Sequence, residues 1–228
     1  MQWLGTRIGR WLAAGVLLSL VMVAGWIYAM GWAPAASKYP IQGVDVSEAQ
    51  GSIDWTTLHA RGASFAYIRA TIGAAGRDSA FERNWAAVAA AGVPRGAIHL
   101  WSFCQDGVSQ ADNFVTVVPR DANALPAVLE LSFSPGCDAR PDRATLIAQL
   151  KRFLTVAETH TGEPMLLKIS RPVARAYHIG AAIPRPLWEA ANFLSPDYAA
   201  RPWRLWQASD MRRMDGVEGP INWDVVAR

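Results

Sequence analysis

Cysteine and histidine are scarce in this chain of 228 residues, which carries 2 of the first and 4 of the second. None of them stands at finger-like spacing to another, which argues against a zinc site. There is no glycine-rich phosphate loop, no clustered His/Cys/Asp set and no basic helix. Nucleotide, metal-ion and nucleic-acid readings therefore lack support, and no cofactor is called for. The absence of a fixed-period repeat or low-complexity tract removes solenoid and disordered architectures. Charge is also sparse: the net value of +3 suits an anionic wall or membrane surface, and equally suits ordinary solubilising charge.

Apolar residues are what the chain has in quantity. At 51% hydrophobic it supports one domain with a substantial core, and apolar runs alternating with helical patterns favour α/β over all-β. From Trp11 to Ala36 the sequence is almost entirely apolar and uncharged, with Arg7 and Arg10 just before it. Such a run crosses roughly 30 Å of hydrocarbon as a helix. We read residues 1–10 as a cytoplasmic N-terminus, 11–36 as a transmembrane signal anchor, 37–41 as a short linker and 42–228 as one domain. This puts the domain on the periplasmic side of the cytoplasmic membrane, with peptidase cleavage near Ala33-Pro34-Ala35 and secretion as the alternative.

Strand signals fall near 42–46, 65–70, 95–101, 125–131, 164–169, 186–192, 203–207 and 220–223, and helix signals near 54–61, 79–92, 107–118, 141–161 and 171–179. Asp54 and Asp78-Ser79 read as N-caps, Gly62 and Gly92 as helix ends, and Gly162 stops the longest helix. The later strands leave little room for full helices between them, so an irregular (β/α) barrel is expected in place of a perfect eightfold one. Cys104 and Cys137 both fall just after predicted strands. In an oxidising compartment the economical reading is one disulfide clamping two neighbouring loops, and two unpaired buried thiols are the other reading.

Barrels keep their chemistry at strand C-termini. Those positions hold Asp45, Arg69 or Thr71, His99 with Trp101, Glu130 with Ser132, Lys168 with Ser170, Asn192, Trp206 with Gln207, and Asn222 with Asp224. Asp45 and Glu130 are the only acidic pair that the strand pattern brings to one barrel mouth. Of the 11 tryptophans, Trp3, Trp11, Trp26 and Trp32 fit the membrane segment, and Trp55 and Trp85 fit helix burial. Trp101 and Trp206 remain as strand-end candidates for the groove, although core placement is about equally expected for Trp206.

The stretches Asp45-Val46-Ser47…Gln50-Gly51…Ile53-Asp54-Trp55 and Phe65-Ala66-Tyr67-Ile68-Arg69-Ala70-Thr71-Ile72-Gly73 resemble the opening of glycoside hydrolase family 25 lysozymes. Gly96-Ala97-Ile98-His99, Leu187-Trp188 with Ala190 and Asn192, and Trp203-Arg204-Leu205-Trp206-Gln207 resemble later family elements. The resemblance covers about residues 40–226. It implies a flattened TIM-like (β/α) barrel and cleavage of the N-acetylmuramic acid β-1,4 bond of bacterial peptidoglycan. Asp45 and Glu130 would be the catalytic acids. His99, Trp101, Ser132, Lys168, Asn192, Trp206, Gln207 and Asn222 would face the glycan.

Several positions depart from the family pattern together. Where the family carries D-x-E at the end of the fourth strand, this chain has Glu130-Leu131-Ser132, so a serine stands at the general acid. A hydroxyl ionises far too weakly to protonate a departing sugar, and losing general acid catalysis costs about 10²–10⁴-fold. Asn222 takes the place of a C-terminal carboxylate, with Asp224 at the family's Asn position, and Lys168 stands for a common Tyr. Two functions follow as expectations: a membrane-anchored muramidase working through Glu130, or a non-catalytic peptidoglycan-binding or envelope scaffold protein. The sequence leaves the oligomeric state open.

Overall fold

The N-terminal apolar run forms α1 (Gln2–Gly31), and its part from Arg10 to Gly31 is long and apolar enough to cross a membrane. In the computed structural model, which describes residues 2–227, this helix stops at Gly31 and not near Ala36. Pro34 lacks the N–H that a continuing helix needs. The stretch after it is no free linker either. Gln42 Nε2 donates to the carbonyls of Pro34 and Tyr39 at 3.0 and 2.8 Å, and the Tyr39 ring is buried.

Beyond it the chain alternates as β1 (Gln42–Val46), α2 (Trp55–Ala60), β2 (Ala66–Ile72), a two-residue β3 (Gly76–Arg77), α3 (Phe81–Ala90) and β4 (Arg95–Leu100). There follow α4 (Gly107–Val117), β5 (Val128–Leu131), α5 (Arg143–Thr161), β6 (Leu166–Ile169), α6 (Arg171–Tyr177), α7 (Ile179–Ala182), β7 (Leu187–Ala190), β8 (Leu205–Arg212) and β9 (Ile221–Val226). Asp54, Asp106 and Asp142 cap α2, α4 and α5 by accepting backbone N–H groups of the first turn. Asp78 does not cap α3 in that way. Its carboxylate takes the Ala80 N–H on one oxygen and the Glu48 N–H on the other, tying the β1–α2 and β3–α3 loops together.

Eight strands close a barrel in the order β1, β2, β4, β5, β6, β7, β8, β9, with β1 bonded to both β2 and β9. All neighbours run parallel except β9, which is antiparallel to β8 and to β1. The reason lies in the connection: the few residues between Arg212 and Ile221 are too short for a crossover and permit only a hairpin. Phe65, Tyr67, Ile98, Val128, Leu166, Trp188 and Leu205 fill the barrel interior. Alternate residues of the same strands, among them Val44, Ile68, Ala97, Leu129 and Leu167, pack outward with Phe114, Leu150 and Phe153 of the helical shell. Interior rings demand glycine opposite them. A Cβ on Gly43 would meet the Phe65 carbonyl at 2.4 Å, and one on Gly96 would meet the Tyr67 ring at 2.3 Å.

Cys104 and Cys137 form a disulfide between the β4–α4 and β5–α5 loops. Closing a loop with a sequence separation of 33 is worth about 3–4 kcal/mol through the restricted unfolded chain.

Candidate active site

Strand alternation turns Asp45, Arg69, Glu130 and Lys168 inward at the end of the barrel where the parallel strands finish. Because β9 runs the other way, its start and not its end lies at this mouth, so Asn222 is paired across the sheet with Asp45. Asp224 then sits one layer deeper, opposite Gly43. Direction of a strand is not written in its own residues; the short β8–β9 connection is the signal that could have placed Asp224 beneath the mouth.

Lys168 is the centre of the arrangement. Its Nζ lies 2.8 Å from Asp45 Oδ2 and 3.9 Å from Glu130 Oε1, and 4.6 Å from the centre of the Trp188 ring. The other Asp45 oxygen accepts from Asn222 Nδ2 at 2.8 Å. Asp45 is 3% exposed, so both of its oxygens are committed inside the protein. Glu130 is also approached by Arg69 Nη2 at 3.7 Å. Burial opposes the charge on Lys168, but Asp45, Glu130 and Asp224 together outweigh it and push the ammonium's pKa up.

Asp224 is fully buried and faces Asp45 and the Trp188 indole without a hydrogen bond of good geometry to either. Burial, and then the negative charge of Asp45, hold its carboxyl well above the ordinary carboxylate range, with Lys168 acting in the opposite direction. Asp224 lies beneath the Asp45–Lys168 pair, with no exposed surface.

The remaining expected contacts divide. Ser132 is half-buried just past the end of β5, and Gln207 is half-buried on the inner face between Ala190 and Asp224. His99 is not at the groove: a register shift between Arg69 and Thr71 turns Thr71 outward, where its Oγ1 meets His99 Nδ1 at 2.7 Å. The other ring nitrogen faces Gln110 Oε1, the ring lies against Phe153, and burial lowers the pKa to about 4. Trp101 likewise faces the helical shell, edge-on to Phe153 and only 2% exposed. Trp206 packs outside the barrel among Trp32, Tyr39 and Trp203, donating Nε1–H to the Ala191 carbonyl. The Asn192 amide is held by Asp210, donating to its carboxylate at 2.7 Å. His99, Trp101 and Trp206 are corrections with one cause: a strand-end residue faces the groove on one parity only, and His99, next to the interior Ile98, has the other.

Arg69 is the groove residue that the sequence reading left out of its binding set, although it stood among the strand-end positions. Its signal was parity: it lies two residues after Tyr67, on the inward side of β2.

The closed eight-stranded barrel gathers carboxylates at its mouth, at the ends of β1 and β5, where barrel enzymes keep their chemistry. The model of glycosyl hydrolases family 25 matches residues 44–217, and the chain belongs to that family. The protein YegX of Escherichia coli strain K12 is 29% identical over 218 residues, spanning 90% of this chain and 79% of YegX. Lysozyme M1 of Streptomyces globisporus is 29% identical over 194 residues, 80% of this chain and 66% of its own length. The structure of a family 25 glycosyl hydrolase from Bacillus anthracis superposes with a TM-score of 0.76 at 31% identity, covering 82% of this chain and 89% of that one.

Proposed function

We propose that this chain recognises bacterial peptidoglycan in a lysozyme-type groove but hydrolyses it far more slowly than a two-carboxylate lysozyme, acting as a glycan-binding protein of the cell envelope. The observation that carries this reading is Lys168, whose ammonium is ion-paired with Asp45 and lies near Glu130. Glycoside hydrolysis needs one carboxyl to protonate the leaving oxygen and another to stabilise the cationic centre. Here Asp45 has both oxygens occupied, Ser132 stands where the family has its acid, and Asp224 is buried out of reach. The groove retains Arg69, Ser132, Gln207 and Asn222 as partners for hydroxyl and N-acetyl groups. The apolar α1 supports a position at the cytoplasmic membrane with the barrel on its outer side, either anchored or released by cleavage.

A second reading rests on Glu130, which keeps an Oε2 with no hydrogen bond and a partly exposed side chain. In it Glu130 protonates the β-1,4 linkage after N-acetylmuramic acid while Asp45 stabilises the developing charge.

The test measures binding and reducing-end release on purified peptidoglycan. The first reading expects co-sedimentation with little release, unchanged release in Glu130→Gln, and a gain of about 10²-fold or more in Ser132→Glu, which leaves the Asp45–Lys168 pair in place. Lysozyme-like release by the parent, abolished in Glu130→Gln, would establish the second reading instead.

A further inference from the structure

The end of α1 and an exposed apolar tip meet the barrel at the same place. The backbone N–H of Arg213, just past the end of β8, donates to the Met30 carbonyl at 2.8 Å and so fastens the last turn of α1. Trp32, one residue beyond the helix, packs edge-on against Phe193 at 5.2 Å and also touches Trp206. Phe193 and Leu194 lie in the β7–β8 connection, past the end of β7. Both α1 contacts therefore lie at the mouth end of the barrel, where β7 and β8 finish, and not at the end where the chain enters β1.

The tip itself is built rigidly. Phe193 holds φ at 69°, in the left-handed region that a bulky side chain rarely occupies. Its N–H donates to the Ala208 carbonyl at 3.0 Å, and the Asn192 amide before it is held by the Asp210 carboxylate. This constraint leaves Leu194 76% exposed and Phe193 36% exposed. An apolar pair on a loop clamped by Asp210 and Ala208, packed through Trp32 onto the end of a helix apolar enough to cross a membrane, has the composition of an interfacial contact.

We infer that the Phe193–Leu194 tip inserts into the headgroup region of the phospholipid bilayer that α1 crosses, so that the mouth of the groove is held at the membrane surface. The inference rests on the reading of α1 as a membrane anchor. Its consequence is a substrate restriction: the groove meets glycan strands lying against the bilayer, including strands still tethered to it by a lipid, and not strands deeper in the wall. The fixed junction at Met30 and Arg213 gives the domain no flexible tether with which to reach further.

The experiment uses the full chain reconstituted in vesicles of phosphatidylcholine and phosphatidylglycerol containing nitroxide-labelled lipid. Because Cys104 and Cys137 are joined, single substitutions Leu194→Cys, Glu163→Cys and Ser19→Cys each accept one environment-sensitive fluorophore. Glu163 lies at the opposite end of the barrel, just before β6, and Ser19 lies within α1. The expected result is strong quenching at 19, quenching at 194 several-fold above that at 163, and a blue-shifted emission at 194. Quenching at 19 with position 194 no different from 163 overturns the surface contact while leaving the anchor intact. No quenching at 19 overturns the anchor reading and the inference with it.

Discussion

The ammonium of Lys168 lies 2.8 Å from the Asp45 carboxylate with both side chains almost fully buried. A lysine and an aspartate separated by 123 residues thus form a single unit at the head of the barrel, and the chemistry of the mouth depends on it. An ion pair removed from water is stable only while both partners are present.

Replacing one partner should therefore be severe. Lys168→Met is expected to destabilise the fold by about 3–5 kcal/mol by leaving Asp45 uncompensated. The double variant Asp45→Asn, Lys168→Met should recover a large part of that loss. Urea denaturation of the four proteins in the cycle checks this.

The interior glycine at Gly96 gives a packing prediction. Its added methyl group would lie 2.3 Å from the Tyr67 ring, so Gly96→Ala should cost about 1–3 kcal/mol through forced displacement of that ring. A compensating Tyr67→Leu would relieve the overlap, and a lowered midpoint in the single variant that recovers in the double is the result to look for.

Two buried groups away from the mouth make opposite contributions to pH dependence. Burial raises the Glu189 carboxyl to about 7, so between its unfolded value of 4.5 and 7 the unfolded chain loses a proton that the folded chain keeps. Stability from this group falls as pH rises through that window. Burial lowers His99 to about 4, so its contribution is complete above its unfolded value of 6.5 and is lost on acidification toward 4. The two slopes offset each other in the parent. Glu189→Gln should remove the first and expose the second, giving a protein stabilised by roughly 2 kcal/mol at pH 7 that weakens steadily from pH 6.5 to pH 4. Chemical denaturation across that range measures it.

The disulfide gives a further expectation. Cys104→Ser with Cys137→Ser should lower stability by about 3 kcal/mol without moving the groove, since the bridge ties two loops outside the Asp45–Lys168 unit. Denaturation with and without reductant, compared with the double variant, tests it.

The eight barrel strands were legible because each buried strand is a short apolar run bounded by turn residues, a pattern local to the chain. The apolar N-terminal run was legible for the same reason. Asp45 and Glu130 could be placed at one mouth because both end apolar runs of one repeat type. Their relation could not be read, because Lys168 reaches both only after β1, β5 and β6 become neighbours in a closed sheet.

His99, Trp101, Asn192 and Trp206 show where local reading stops. Each was placed at the groove by being near a strand end; alternation in β4 turns His99 outward, Trp101 and Trp206 pack in aromatic clusters, and the Asn192 amide is taken up by Asp210. Asp224 moved by one layer because β9 reverses. By itself the sequence determined the alternation of elements and the family resemblance, since these depend on residue type and spacing. The tertiary structure alone decided which side chains face the groove, that Lys168 joins Asp45 and approaches Glu130, and that Asp224 lies beneath them. Strand direction, register and parity set those relations, and they exist only once the barrel is closed.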